Sequence, residues 1–212
     1  MILHLWMAAA AVLAVMYGAR YCWRDGASWQ RSAIKTGAMA GLACAGAALG
    51  APFWVVLGLG LGALGDFFLS RPGTPTFLAG MAAFAAGHLA YAGYFLTLAD
   101  APSLRWPLMA ALLLLAATTE LWLAPHTGAL RWPVRGYVAV ITALGIAALG
   151  QSAPLILAGA GLFILSDVLL ALALFIVPAQ SWRWILAVTL WVAYWLGQFL
   201  ILQGALQPIS AA

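Results

Sequence analysis

Apolar runs long enough to carry a helix across a hydrocarbon core, which takes roughly 20 residues, recur from one end of this sequence to the other. Eight can be drawn, over 2–20, 33–51, 53–70, 76–98, 104–124, 134–150, 153–175 and 183–204. The breaks between them are short and rich in Pro, Gly, Arg and Trp: Gly50-Ala51-Pro52 and Ser152-Ala153-Pro154 mark tight turns, Arg71-Pro72-Gly73-Thr74-Pro75 and Arg131-Trp132-Pro133 longer ones. In lipid every backbone N–H and C=O must be satisfied within the protein, so only helices or closed barrels span. Uninterrupted apolar runs do not fit the alternating strands of a barrel. The expected fold is all-α, a polytopic transmembrane helical bundle of eight spans. No break is long enough for a second domain, so residues 1–212 are expected to form a single integral membrane domain.

With 66% hydrophobic and 7% charged residues, the chain carries more apolar surface than one soluble core can hide. Its net charge of +4 would point to an anionic partner in a soluble protein. Here the basic residues lie between spans and read as topology signals, with no nucleic-acid role. Arg20, Arg24, Arg31, Lys35, Arg71, Arg131, Arg135 and Arg183 fall near one set of span ends, and Arg105 alone on the other side. The positive-inside rule makes the first set cytoplasmic and puts both termini on the non-cytoplasmic side, in a bacterial inner membrane. The opening stretch to about Gly18 has its arginines after the apolar run, the reverse of a secretory signal, and is expected to be a retained span. Cys22 and Cys44 show no metal-binding or redox spacing and read as packing residues.

Only five residues are acidic, and two of them sit inside apolar runs in matching contexts: Gly65-Asp66-Phe67-Phe68-Leu69 and Ser166-Asp167-Val168-Leu169-Leu170. A carboxylate at membrane depth costs roughly 2.5–3.5 kcal/mol on insertion scales and therefore faces a partner or a cavity. The two lie in the third and seventh spans, which run in the same direction, so a parallel four-plus-four repeat is one reading. Gly58, Gly62 and Asp66 recur every four residues and so share one helix face, where small residues admit a neighbouring helix. His88 and Tyr91 share a face of span four, Tyr194 and Gln198 a face of span eight. Glu120 and Tyr137 lie toward the same inner side.

These residues admit a structural reading. Asp66 pairs with Arg71 or Lys35, Asp167 accepts from a serine or tyrosine hydroxyl, His88 packs, and Glu120 bonds Lys35 or an inner arginine. They also admit a chemical one, in which two carboxylates in unlike environments divide acid and base work. Two Asp and one His could alternatively hold a divalent ion. However, the chain has no HxxxH or HExxH pattern, and neither a metal nor another cofactor is expected. A proton-coupled carrier of small molecules or lipids would show a similar set of intramembrane groups.

From about Lys35 to Gly204 the chain also resembles a known family, the YhhN-like lysoplasmalogenases. The resemblance is carried by Gly65-Asp66 with Leu69, by Phe77-Leu78-Ala79-Gly80, Phe84 and His88-Leu89-Ala90-Tyr91. In the second half it continues through Tyr137, Gly161-Leu162-Phe163-Ile164-Leu165-Ser166-Asp167, Phe175 and Tyr194-Trp195-Leu196-Gly197-Gln198. It implies an eight-span membrane enzyme that cleaves the vinyl ether bond of a lysoplasmalogen with water, giving a fatty aldehyde and a glycerophospho-head group. On that implication Asp66 and Asp167 are the acid and base pair, in unassigned order, and His88 orients or shuttles the proton. Tyr91, Tyr137, Tyr194 and Gln198, with Lys35 and Glu120, are the expected substrate-binding residues. The partners are a lysophospholipid and the bilayer, and the oligomeric state is left open.

Overall fold

The computed structural model describes residues 2–24, 26–98, 105–177 and 182–207. Among them there is no strand, and eight α-helices carry the chain: α1 (Ile2–Arg20), α2 (Trp29–Ala48), α3 (Phe53–Leu69), α4 (Thr74–Thr97), α5 (Trp106–Trp122), α6 (Arg131–Leu149), α7 (Pro154–Phe175) and α8 (Arg183–Leu206). Two short 3-10 turns, Ala124–His126 and Gly128–Leu130, link α5 to α6. By length and apolarity, four segments of the described residues suffice to cross a membrane: Trp106–His126, Gly128–Leu149, Pro154–Phe175 and Arg183–Leu206. Leu5–Arg20 and Phe53–Leu69 are apolar but shorter.

Three helices begin earlier than hydropathy alone predicts, α4 by two residues and α2 and α6 by more. α2 starts at Trp29 because Ser28, in extended backbone, accepts the Arg31 amide at 3.1 Å, an N-cap bond that satisfies one of the helix's orphan donors. Its first turn is polar yet helical. α6 starts at Arg131 and holds Pro133 in its first turn, where the missing N–H would have no partner in any case. The reversal between α3 and α4 uses Gly73 at φ 108°, backbone that a side chain resists.

The most extensive pairings are α7 on α8 and α3 on α4, and α8 also touches α1, α2 and α3 while α4 reaches α6. Glycine sets how closely the two hairpins pack. A Cβ on Gly58 would stand 2.5 Å from the Tyr91 ring, and one on Gly159 would stand 2.7 Å from the Gly197 carbonyl. These are backbone-on-ring and backbone-on-backbone contacts of the kind that lets helices associate in lipid. Gly197→Val is therefore expected to destabilise the protein by about 1–3 kcal/mol or more, because the obstacle is the Gly159 backbone and cannot swing aside. A thermal melt in detergent that matches wild type would contradict this.

Large apolar side chains such as Val15, Leu114 and Leu121 point outward, as a lipid-facing surface requires. Seven of the basic residues expected to share a side, with Trp29, Trp132, Trp182 and Trp184, sit at the corresponding helix ends or the turns beside them, here called the basic end. There Arg71 Nη2 donates to the Ser28 carbonyl at 2.8 Å and to Ser32 Oγ at 2.5 Å, tying α3 to α2. At the opposite end Arg105 Nη1 donates to the Gln151 carbonyl at 3.0 Å, and Gln151 in turn donates to the Phe95 carbonyl.

Candidate active site

The carboxylates of Asp66 and Asp167 both face into the bundle, and each is held by one residue from its own half of the chain and one from the other half. Asp66 on α3 is fully buried. Lys35 Nζ on α2 stands 2.8 Å from its Oδ1, and the Tyr194 hydroxyl on α8 donates to Oδ2 at 3.0 Å. The absence of a side chain at Gly62 makes this possible, since a Cβ there would lie 3.3 Å from the Tyr194 hydroxyl. Asp167 on α7 lies 3.3 Å from Nε2 of His88 on α4 and accepts from the Tyr137 hydroxyl on α6 at 3.3 Å. The helix pattern corresponds: α2 and α8 serve the Asp on α3, and α6 and α4 serve the Asp on α7.

The His88 ring is fixed by its own helix. Nδ1 lies 2.6 Å from the Phe84 carbonyl one turn earlier, and a carbonyl can only accept, so Nδ1 carries a hydrogen. A neutral imidazole then presents a lone pair at Nε2. Facing a carboxylate oxygen, that contact is attractive only if one proton resides on Nε2 or on Asp167. Neither Nε2 nor Oδ2 makes a well-aligned hydrogen bond with any described residue. At the other carboxylate, Lys35 Nζ and the Tyr194 hydroxyl approach the two different oxygens of Asp66.

Aromatic rings join the two carboxylate clusters. Phe163 lies 4.4 Å from the His88 ring and 5.5 Å from the Tyr194 ring, and Phe84 lies 5.8 Å from Tyr194, all between centroids. Tyr91 donates to Gln198 Oε1 at 2.5 Å, linking α4 to α8 below this layer. The Gln198 amide nitrogen sits beside Gly62 without a hydrogen-bond partner among the described residues.

An apolar cleft with an empty volume of about 830 Å³, its open mouth included, runs between α4, α5, α6 and α7. Its polar lining is confined to Asp167, Tyr137, Thr119 and Thr142. Asp66 does not line it. A second, more polar hollow of about 1470 Å³, likewise open, lies at the basic end and is lined by Arg24, Arg31, Lys35 and Arg183 among aromatic and aliphatic neighbours. The two share Leu69, Phe77, Leu170 and Leu174.

The structure thus brings together Asp66, Lys35 and Tyr194 in one group, Asp167, His88 and Tyr137 in a second, and Tyr91 with Gln198 in a third. Of the partners open to Asp66 it takes Lys35, because Arg71 turns to Ser28 and Ser32. Glu120 stands apart, 45% exposed and forked by Arg135, whose Nε lies 2.8 Å from Oε1. Sequence reasoning does not single out Phe163 as a ring between the clusters, nor the Phe84 carbonyl that sets the His88 tautomer. The available signals are spacing, since Phe84 precedes His88 and Phe163 precedes Asp167 by one helical turn, and their place within the motifs that carry the family resemblance. Among the described residues no three His, Cys, Asp or Glu side chains converge.

Comparison with known proteins adds an independent finding. A sequence model of the YhhN family matches residues 28–205. Proteins of Mycobacterium bovis and Mycobacterium tuberculosis, each described as a lysoplasmalogenase, are 34% identical to this chain over 159 residues, covering 71% of it. The match covers 59% of each of those proteins, so the chain spans well under two thirds of the length of these curated relatives. No solved structure matches.

Proposed function

Because the chain belongs to the YhhN family, we propose that it is a lysoplasmalogenase-like hydrolase, cleaving the vinyl ether bond of a single-chain lipid to a fatty aldehyde and a glycerophospho-head group. The observation that carries this reading is Asp167, a carboxyl at the wall of a largely apolar cleft, 3.3 Å from Nε2 of His88.

An enol ether hydrolyses when an acid adds a proton to its β carbon. The C=C electron pair forms the new C–H bond, and the remaining oxocarbenium ion is captured by water. The resulting hemiacetal breaks its C–O bond to give aldehyde and alcohol. Asp167 supplies the proton to the carbon and is left as the carboxylate nearest the cation, which it stabilises. It then takes a proton from the attacking water, so that one residue acts as acid and then as base and the proton count closes. His88, fully buried, is a positioning residue that holds the proton against Asp167, and the Tyr137 hydroxyl orients the carboxyl. Asp66, paired with Lys35, anchors the Tyr194 hydroxyl on the far side of the aromatic layer. Tyr91 and Gln198 brace α4 against α8.

In this reading all eight helices span the membrane, the basic end is cytoplasmic, and both termini lie on the far side of a bacterial inner membrane. The excess of Arg and Lys at one end supports that orientation. The exchanged holding of the two Asp residues, α2 with α8 and α6 with α4, supports a parallel four-plus-four repeat.

The test is purified protein in detergent, with no gradient, given a 1-alkenyl lysophospholipid. Stoichiometric fatty aldehyde is the expected product. Saturable binding without aldehyde would replace the enzyme by a lipid carrier.

A further inference from the structure

The apolar cleft has a closed deep end. Followed inward from the basic end, its lining stops at Phe84 on α4, Leu112 on α5, Thr142 on α6 and Ile164 on α7. Just beyond, α5, α6 and α7 converge: a Cβ on Gly145 of α6 would stand 2.5 Å from Leu112 Cδ2 and 3.0 Å from Ile164 Cδ1. Leu144, Ala147 and Ala148 around it are buried. Leu112 and Ile164, closing over Gly145, form the floor.

Asp167 lies close to that floor. It follows Ile164 by three residues on α7, about 5 Å at 1.5 Å per residue, and the cleft continues past it toward the basic end as far as Phe175. A hydrocarbon chain advances ~1.3 Å per carbon at ordinary bond lengths, so about four carbons fit between the carboxyl and the floor. A chain that fills one leaflet of a ~30 Å hydrocarbon core needs about 15 Å. The head cannot take the floor end instead, because the hydroxyl there, on Thr142, already donates to the Val138 carbonyl and a phosphate would be left without donors. Most of the chain must lie elsewhere.

The packing of α5 shows where. It rests mainly on α6 and the first 3-10 turn rather than on α4 or α7, and within Trp106–Trp122 only Thr119 is buried. Leu112, Leu115, Ala116 and Thr119 form the stripe that a packed helix presents to a neighbour, and here that stripe lines the cleft. Leu113, Leu114 and Leu121 on the remaining surface are exposed. Along the flanks of α5, side chains rather than closely packed backbones therefore separate the cleft from lipid.

We propose that Leu112 and Ile164 are specificity-determining residues, which admit about four carbons beyond the reacting bond and turn the rest of the chain out beside α5 into the bilayer. The proposal rests on the hydrolase reading above. Selection then falls on the shape of the chain near the ether and not on what lies at its end.

The experiment compares kcat/KM for aldehyde release from three long-chain 1-alkenyl lysophospholipids at equal mole fraction in neutral detergent micelles. One is plain, one has a methyl branch on the fifth chain carbon, and one carries an adamantyl group at the chain end. The branched lipid is expected to fall about tenfold or more below the plain one, the effect of forcing an extra methyl against a packed wall. The end-capped lipid should stay within about threefold of the plain one, because its bulk lies outside the protein. Leu112→Ala, which removes part of the floor, should bring the branched lipid to within about threefold of the plain one, and Ile164→Val, a smaller cut in the same floor, should move the ratio the same way. Equal turnover of branched and plain lipid by wild type, a ratio unmoved by either substitution, or rejection of the end-capped lipid would each overturn the proposal.

A second arm needs no turnover. Saturated 1-alkyl ethers with the same three chains are titrated against wild-type protein by tryptophan fluorescence, for which Trp122 in the cleft lining is a reporter. The branched ether should bind about tenfold more weakly than the other two. If no aldehyde forms yet that order holds, the hydrolase reading fails and the floor stands. If aldehyde forms but the three ethers bind alike, the floor fails alone.

Discussion

Asp167→Asn is expected to lower kcat for aldehyde release by about 10²–10⁴-fold, the range that loss of a positioned general acid costs, while the protein still folds and binds lipid. Asn matches Asp in shape and can still accept from the Tyr137 hydroxyl, so the hydrogen bond now at 3.3 Å survives. What it lacks is a proton acidic enough to give to carbon. His88→Gln should act through the same proton with a smaller loss, seen in kcat with KM little changed and in a flattened pH profile. A packing role for the ring against Phe163 would instead lower stability and leave the profile alone. Turnover of Asp167→Asn within about threefold of wild type would remove the carboxyl from the chemistry, because a general acid contributes at least about a hundredfold.

The second large effect is on stability, at the other carboxylate. Lys35→Ala strands a fully buried Asp66 with only the Tyr194 hydroxyl as donor. Removing one partner of a buried ion pair costs about 3–5 kcal/mol, so a marked fall in melting temperature in detergent is expected. Asp66→Asn should cost less, because Lys35 is 16% exposed and its long stem can carry the ammonium out into the basic hollow. The combined Lys35→Met and Asp66→Asn protein should recover much of the loss, since no unpaired charge then remains inside. Single substitutions that melt with wild type, or a double that merely sums them, would show that the pair is not coupled.

Much of this was legible in the sequence because it depends on local pattern. The helices follow from runs of apolar residues, and where hydropathy misplaced a helix start, at Trp29 and Arg131, the cause was a cap or a tolerated proline. Asp66 and Asp167 stand out because carboxylates inside apolar runs are costly, and the spacing of Gly58 and Gly62 already marks the face Asp66 shares. The ordered motifs around them carry the family. Arg24, Arg31 and Arg183, in contrast, read only as topology signals, since nothing local says that they line one hollow.

Chain order and hydropathy therefore determined the all-helical fold, the clustering of positive charge at one end and the burial of two acids, because each follows from a residue and neighbours within a turn or two. Only the tertiary structure decided that Asp66 takes Lys35 and Tyr194 while Asp167 takes His88 and Tyr137, and that Asp167 rather than Asp66 meets the cleft. Those choices depend on how each helix is rotated and how closely it approaches its neighbour. Contacts at residues such as Gly62, Gly159 and Gly197 set both, and their partners lie far away along the chain.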